Sequence, residues 1–225
     1  MLGPQPTHAA LNTAAERAGL RTERGRPVRF VPPGPADPYY EMHLHETGQV
    51  HTRLGDRHDL FNALCWLAFP RTKARINAMH ATEIPREAGR RGPLRDLLTI
   101  LDEGGVLVAG AGPEFEALIR GYRWKALFWD ARARVRASVR FIVLGHATLE
   151  QALAPRPGIT CKAVFVDAGG DADAQAAAWL AALPAKASPR LMPPVPVFGY
   201  PGWLPQSEDA AFYDDLRWFR PSPTA

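Results

Sequence analysis

Between residues 58 and 69 apolar side chains recur at helical spacing on two adjacent stripes. Leu60, Leu64 and Leu67 form one, and Phe61, Cys65 and Ala68 form the other. A helix that is apolar around most of its circumference is a buried helix. Asp56 has the position of its N-cap, with Asp59 three residues on in the acidic N3 slot. Pro70 ends or kinks this helix, because a residue preceding proline is pushed out of the α region. A second helical pattern follows over 72–80.

Around this pair the pattern changes period several times. Tyr40, Met42 and Leu44 alternate with polar residues ahead of Glu46-Thr47-Gly48-Gln49, which predicts a hairpin over 39–52. Apolar runs at 97–101 and 106–109 flank Asp102-Glu103-Gly104-Gly105 and predict a second hairpin. Residues 114–135 read as a helix, 141–144 as a buried strand, Gly145-His146 as a strand-to-helix corner and 147–153 as a helix. A strand at 159–166 and an alanine-rich helix at 172–183 follow. The proline- and aromatic-rich tail from 193 to 221 is expected to pack as extended chain. Irregularly interleaved strands and helices predict an α+β fold of mixed α/β layers, with a buried helix pair interrupted at Pro70. Residues 1–38, with one helical fragment at 11–20, are expected to form an irregular, loosely attached segment. Residues 39–221 are expected to form a single globular domain, followed by a short tail at 222–225.

Composition narrows the function classes. The hydrophobic fraction of 46% and charged fraction of 22% are those of a globular chain rather than a disordered one. The net charge of +4 invites a nucleic-acid partner. However, 23 arginines against 4 lysines in an alanine-rich chain fit codon bias at least as well, so nucleic acid is the weaker expectation. Cys65 and Cys161 fall in apolar patterns without a CxxC and read as buried thiols of a reducing compartment. Met1-Leu2-Gly3-Pro4 lacks the basic start and apolar run of a signal peptide, and no apolar stretch reaches a membrane-spanning length. A cytoplasmic protein with no membrane partner is the expectation.

Polar residues on buried helices carry the candidate chemistry. Asn62 sits in mid-helix, where an unpartnered amide costs about 1–3 kcal/mol; His58 and Trp66 lie one turn away on the same face. Lys73, Asn77 and His80 occupy i, i+4 and i+7 of the second helix. Six residues, His58, Asp59, Asn62, Lys73, Asn77 and His80, therefore outline a polar pocket on the segment 53–80. The bland alternatives are an exposed His58, a dipole-serving Asp59, a solvated Lys73 and a C-terminal His80. A straight helix would hold His58 and His80 about 33 Å apart, and a right-angle corner about 20 Å. Only an antiparallel hairpin at Pro70 makes one site of them. In that case His58, Asp59 and His80 are a conceivable metal set, although the close HxxxH or HExxH spacing is absent. Without metal, one histidine serves as proton carrier, and the helix N-terminus favours a neutral, basic His58.

Weaker signals are an arginine stripe at Arg132, Arg136 and Arg140, and His43 with His45 on one side of a strand. No GxSxG, P-loop or dinucleotide fingerprint is present, and no particular cofactor is implied. Two functions stay open. One is an enzyme or small-ligand-binding domain with acid/base or metal-assisted hydrolytic chemistry. The other is a non-catalytic module that binds nucleic acid or protein through the arginines of 86–95 and 132–140. The oligomeric state is not written in these patterns.

The block Thr52-Arg53, His58-Asp59-Leu60-Phe61-Asn62-Ala63-Leu64, Trp66, Phe69-Pro70, Lys73, Asn77 and His80 resembles the signature of an uncharacterised bacterial family, domain of unknown function 3025. Asp102-Glu103, Gly145-His146-Ala147, Pro201-Gly202-Trp203 and Phe212-Tyr213 extend the resemblance over 39–221. It implies a soluble, bacterial single-domain protein and brings no activity, cofactor or catalytic residue with it.

Overall fold

The computed structural model describes residues 5–34, 39–87 and 89–222. The chain start read for a signal peptide, Pro35 to Pro38, and the last three residues lie outside them. Helices outweigh strands, which form two small sheets among the described residues, so the protein is α+β. Its contacts divide it into two compact units, Met1–Asp102 with Ala177–Pro189 and Glu103–Ala176 with Arg190–Ala225. The boundary expected at Pro38 falls inside the first of them.

In the first unit, helix α1 (His8–Arg17) is capped by Thr7, whose hydroxyl accepts from the Ala10 N–H at 3.2 Å. Strand β1 (Arg29–Val31) pairs in parallel with β2 (Gln49–His51), placing Phe30 opposite Val50. The Asn12 side chain completes β1 by accepting from the Phe30 N–H at 2.7 Å and donating to its carbonyl at 3.0 Å. Leu11, Ala15, Leu20, Val28 and Phe30 are core residues. The described part of the segment expected to hang loosely is thus built into the unit, because its few apolar residues are spaced to bury together.

Between β1 and β2 lies helix α2 (Tyr40–Thr47), where alternation predicted the first arm of a hairpin. Gly48 is its C-terminal cap in the left-handed conformation, φ 78°, and its N–H bonds the Leu44 carbonyl. A helix-stopping glycine and a turn glycine look alike in sequence. His43 and His45 are accordingly helical and share no strand face. A Cβ on Gly48 would stand 2.1 Å from the Pro27 carbonyl oxygen, an immovable backbone atom. Gly48→Ala is expected to cost about 3 kcal/mol through the left-handed strain and this clash, read as a lowered urea midpoint. A midpoint within error of the parent would contradict it.

Helix α3 (Arg57–Ala68) starts where expected, with the Asp56 carboxylate accepting from the Asp59 N–H at 3.0 Å. It is less buried than its composition suggests: Ala63, Cys65 and Trp66 are buried, whereas Leu64 is 41% exposed. Phe69 leaves the α region at φ −131°, ψ 56°, and α4 (Pro70–Glu83) begins on the proline as its first residue. Helix α2 packs along α4. Helix α5 (Pro93–Gly104) replaces the second predicted hairpin. Leu97, Leu98 and Leu101 are fully buried at i, i+1 and i+4, a helical face rather than a strand.

The second unit is organised on a sheet of order β4-β3-β5-β6. Strand β3 (Gly105–Ala109) is buried along its whole length, in keeping with its uninterrupted apolar sequence. Helix α6 (Gly112–Arg120) stops at Gly121-Tyr122, where Tyr122 takes φ 56°. One long helix was expected over 114–135; instead a π-helical turn (Ala126–Asp130) and helix α7 (Arg132–Ser138) follow. Strand β4 (Arg140–Val143) runs antiparallel to β3, helix α8 (His146–Gln151) follows, and β5 (Cys161–Val166) lies parallel to β3. Arg140 is therefore in a strand, and the predicted three-arginine helical stripe does not exist. Helix α9 (Ala172–Ala181) leads to β6 (Pro194–Val195), which pairs with β5. The aromatic tail is core: Phe198, Tyr213 and Phe219 pack with Phe128 and Phe141.

Candidate functional site

The polar centre of the first unit is built on α4. Lys73 is buried, and its ammonium donates to Asn62 Oδ1 on α3 at 2.7 Å and to Asp102 Oδ1 on α5 at 2.5 Å. The same Nζ lies 5.7 Å from the centre of the Trp66 ring, a cation–π contact. Burying an ammonium is tolerable only with such pairing. One helical turn later, Asn77 donates from Nδ2 to the Glu41 backbone carbonyl at 2.9 Å and to Glu41 Oε2 at 2.6 Å. The backbone carbonyl can only accept, so the amide orientation is settled by chemistry. Asn77 Oδ1 is buried and has no hydrogen-bond partner. Such an orphan acceptor is uncommon and calls for a reason.

These groups face one cavity of about 40 Å³, lined by Tyr40, Glu41, Leu44, Asn62, Trp66, Lys73, Ile76, Asn77 and Asp102. That is room for about three water-sized groups. Desolvation raises the Glu41 carboxyl above the ordinary carboxylate range. The Asn77 bond pulls the other way, the Asp102 charge adds to the rise, and the Lys73 charge opposes it. Tyr40 is raised as well, by desolvation and by the neighbouring Glu41 charge. Its hydroxyl accepts from the His51 N–H at 3.2 Å. The chamber therefore combines an ion pair, a carboxyl inclined to keep its proton, and a free acceptor.

His80 belongs to a different arrangement. Its Nδ1 accepts from Arg95 Nε at 3.1 Å, and Arg95 is held by Glu87 at 2.9 Å. Burial, helped by the Arg95 charge, pushes the imidazole down to about 4. His80 is thus neutral with its proton on Nε2. Asp59 is engaged with Arg53, accepting from its backbone N–H at 2.7 Å and its Nε at 2.8 Å. Desolvation pushes the Asp59 carboxyl up, but the Arg53 bonds and charge outweigh it and hold the pKa below the usual range. His58 is half-buried on the first turn of α3 and does not line the chamber. Among the described residues, His58, Asp59 and His80 do not bring three ligand atoms together for a metal.

Of the six residues singled out by sequence, the fold gathers Asn62, Lys73 and Asn77 and sends the other three elsewhere. Glu41 was missed, because the alternation around it read as a strand. Asp102 was noticed only as a turn residue. The Cys65 thiol, pushed up to about 12 by burial, is a poor nucleophile. A wider groove of about 570 Å³ near Arg21, Arg71 and Arg75 lacks convergent chemistry; Arg75 already contacts Glu23 at 2.9 Å. Arg86, Arg91, Arg95, Arg132 and Arg134 each have a carboxylate partner at 2.7–2.9 Å. No helix among the described residues is long and apolar enough to cross a membrane.

Helices with two small sheets among the described residues, and a polar chamber in the first unit, define an α+β protein. The chain belongs to the family described as Protein of unknown function (DUF3025), whose model matches residues 28–223. No curated protein and no solved structure matches it.

Proposed function

We propose that the protein is a small-molecule enzyme whose acid–base centre is the Lys73 chamber. The observation that carries this reading is the pairing of unlike acids in one small space. Asp102 is bound to an ammonium, whereas Glu41 is held in surroundings that favour its neutral form. Two carboxyl groups pushed towards different protonation states are the usual means of supplying both a proton donor and a charged stabiliser at one site. The orphaned Asn77 Oδ1 supplies an acceptor for a ligand N–H or O–H. The small volume restricts the guest, or the part of it that enters, to a compact polar head.

A purely structural network would not need room or an unused acceptor. Ligand-observed NMR with small amides, amines, carbonyl compounds and carboxylates separates the two cases. Compounds of about three or four heavy atoms are expected to bind the parent protein and to lose that binding in Asn77→Leu, with circular dichroism confirming the variant's fold. An absence of binding to the parent, or equal binding to a folded Asn77→Leu protein, would remove the reading.

A further inference from the structure

We propose that Lys73 captures carbonyl compounds covalently: its Nζ condenses with a short aldehyde or ketone in the chamber, and Asp102 and Glu41 move the protons. This rests on the acid–base reading above and gives it a substrate class. Three features of the site lead there.

The first is the holding of the amine. Asn62 Oδ1 and Asp102 Oδ1 fix Nζ at 2.7 and 2.5 Å beside the Trp66 ring, so the nitrogen is oriented rather than free on a flexible stem. An ammonium cannot attack a carbonyl; it must first lose a proton, and the carboxylate at 2.5 Å is the group placed to take it. The second is the acid. Condensation needs a donor to protonate the carbonyl oxygen, and Glu41 lines the same cavity in surroundings that favour its neutral form. The third is size. A cavity of about 40 Å³ admits a carbonyl with little beyond a methyl substituent, and Asn77, whose Oδ1 has no hydrogen-bond partner, is among its lining residues.

The step balances without a redox partner. The Lys73 ammonium passes one proton to Asp102, and the free amine forms a C–N bond to the carbonyl carbon as the C=O π pair moves to oxygen. Glu41 protonates that oxygen. The nitrogen of the resulting carbinolamine gives up a proton to the Glu41 carboxylate, and the hydroxyl leaves as water with the proton held on Asp102. Ammonium and carbonyl compound have become a protonated imine and one water, with both carboxyl groups as they began. Cys65, the nucleophile next to Trp66 in sequence, is excluded by its buried, proton-retaining thiol and by its absence from the cavity wall.

With four lysines in the chain, the protein carries its own controls. The full-length protein is incubated with acetaldehyde and sodium cyanoborohydride, and ethylation is followed at Lys73, Lys125, Lys162 and Lys186 by peptide mass spectrometry. Lys73, though buried, is expected to be trapped at least about tenfold faster than the exposed Lys125. Glu41→Gln is expected to slow that trapping by about a hundredfold while leaving Lys125 unchanged. Trapping at Lys73 no faster than at Lys125 would overturn the proposal, whatever the fate of the variants. So would folded Glu41→Gln and Asp102→Asn proteins that are both trapped at the parent rate. Fragment binding that depends on Asn77, together with an unmodified Lys73, removes the covalent step and leaves the acid–base reading intact. Failure of both removes both.

Discussion

Lys73→Met is expected to lower stability by about 3 kcal/mol, the lower end of the cost of breaking a buried ion pair from one side. The lower end applies because the Lys73 side chain is 5% exposed whereas that of Asp102 is 21% exposed and keeps some contact with solvent. Methionine fills a similar volume, so the loss measures the stranded Asp102 carboxylate and the unpaired Asn62 oxygen rather than a cavity. For a chain of this length the melting temperature should fall by roughly 6–12 °C. Lys73→Met combined with Asp102→Asn should recover more than half of the loss, since removing both charges is commonly near neutral. A single variant that melts within about 2 °C of the parent would mean that the pair is solvated and that the chamber is not a desolvated site.

Stability should also fall steeply between pH 6.5 and 4, with His80 as a main cause. Its folded pKa is depressed from 6.5 to about 4 by burial and the Arg95 charge. The stabilisation is complete above the unfolded value and is lost as pH falls towards the folded one, because only the unfolded chain gains the proton in that window. A fall from 6.5 to about 4 corresponds to about 3 kcal/mol. In His80→Asn, whose Oδ1 takes the place of Nδ1 as acceptor from Arg95, the urea midpoint should lose most of this acid dependence. An acid limb as steep as the parent's would assign the effect elsewhere. Glu41 acts in the opposite sense. Its raised folded pKa gives stability that is full below 4.5 and is lost as pH climbs through the folded value, so Glu41→Gln should improve stability selectively on the alkaline side.

What could be read from sequence followed the length of each signal. The Asp56 cap, the break at Phe69-Pro70 and the face carrying Lys73 and Asn77 were legible, because a cap and fourteen residues of helix give several turns of pattern. Helix α2 has eight residues. Over two turns, apolar residues two apart fit a strand as well as a helix, and Gly48 supplied a false turn. Glu41 was lost with it. Asp102 was misplaced for a related reason: Gly104-Gly105 marks the end of a helix and the start of a strand without an intervening hairpin. The chamber was therefore half visible. Its α3 and α4 residues stood out as polar groups on apolar helices, whereas its acidic partners come from elements whose type depended on tertiary packing. The parting of His80 from Lys73 and Asn77 could not be foreseen, since it depends on Arg95, thirty-three positions beyond Asn62 and on another helix.

The two cysteines fall one to each compact unit, Cys65 in the first and Cys161 in the second, and both are buried and unbridged. Burial raises the thiols to about 12 and about 11, which keeps them in the inert protonated form at neutral pH. A thiol reagent can therefore react only when the surrounding unit opens, and each sulfur becomes a native clock for its own half of the chain. Alkylation rates at the two positions, measured in one tube under mild denaturant, would show whether the halves open together or in turn. No label needs to be engineered for it.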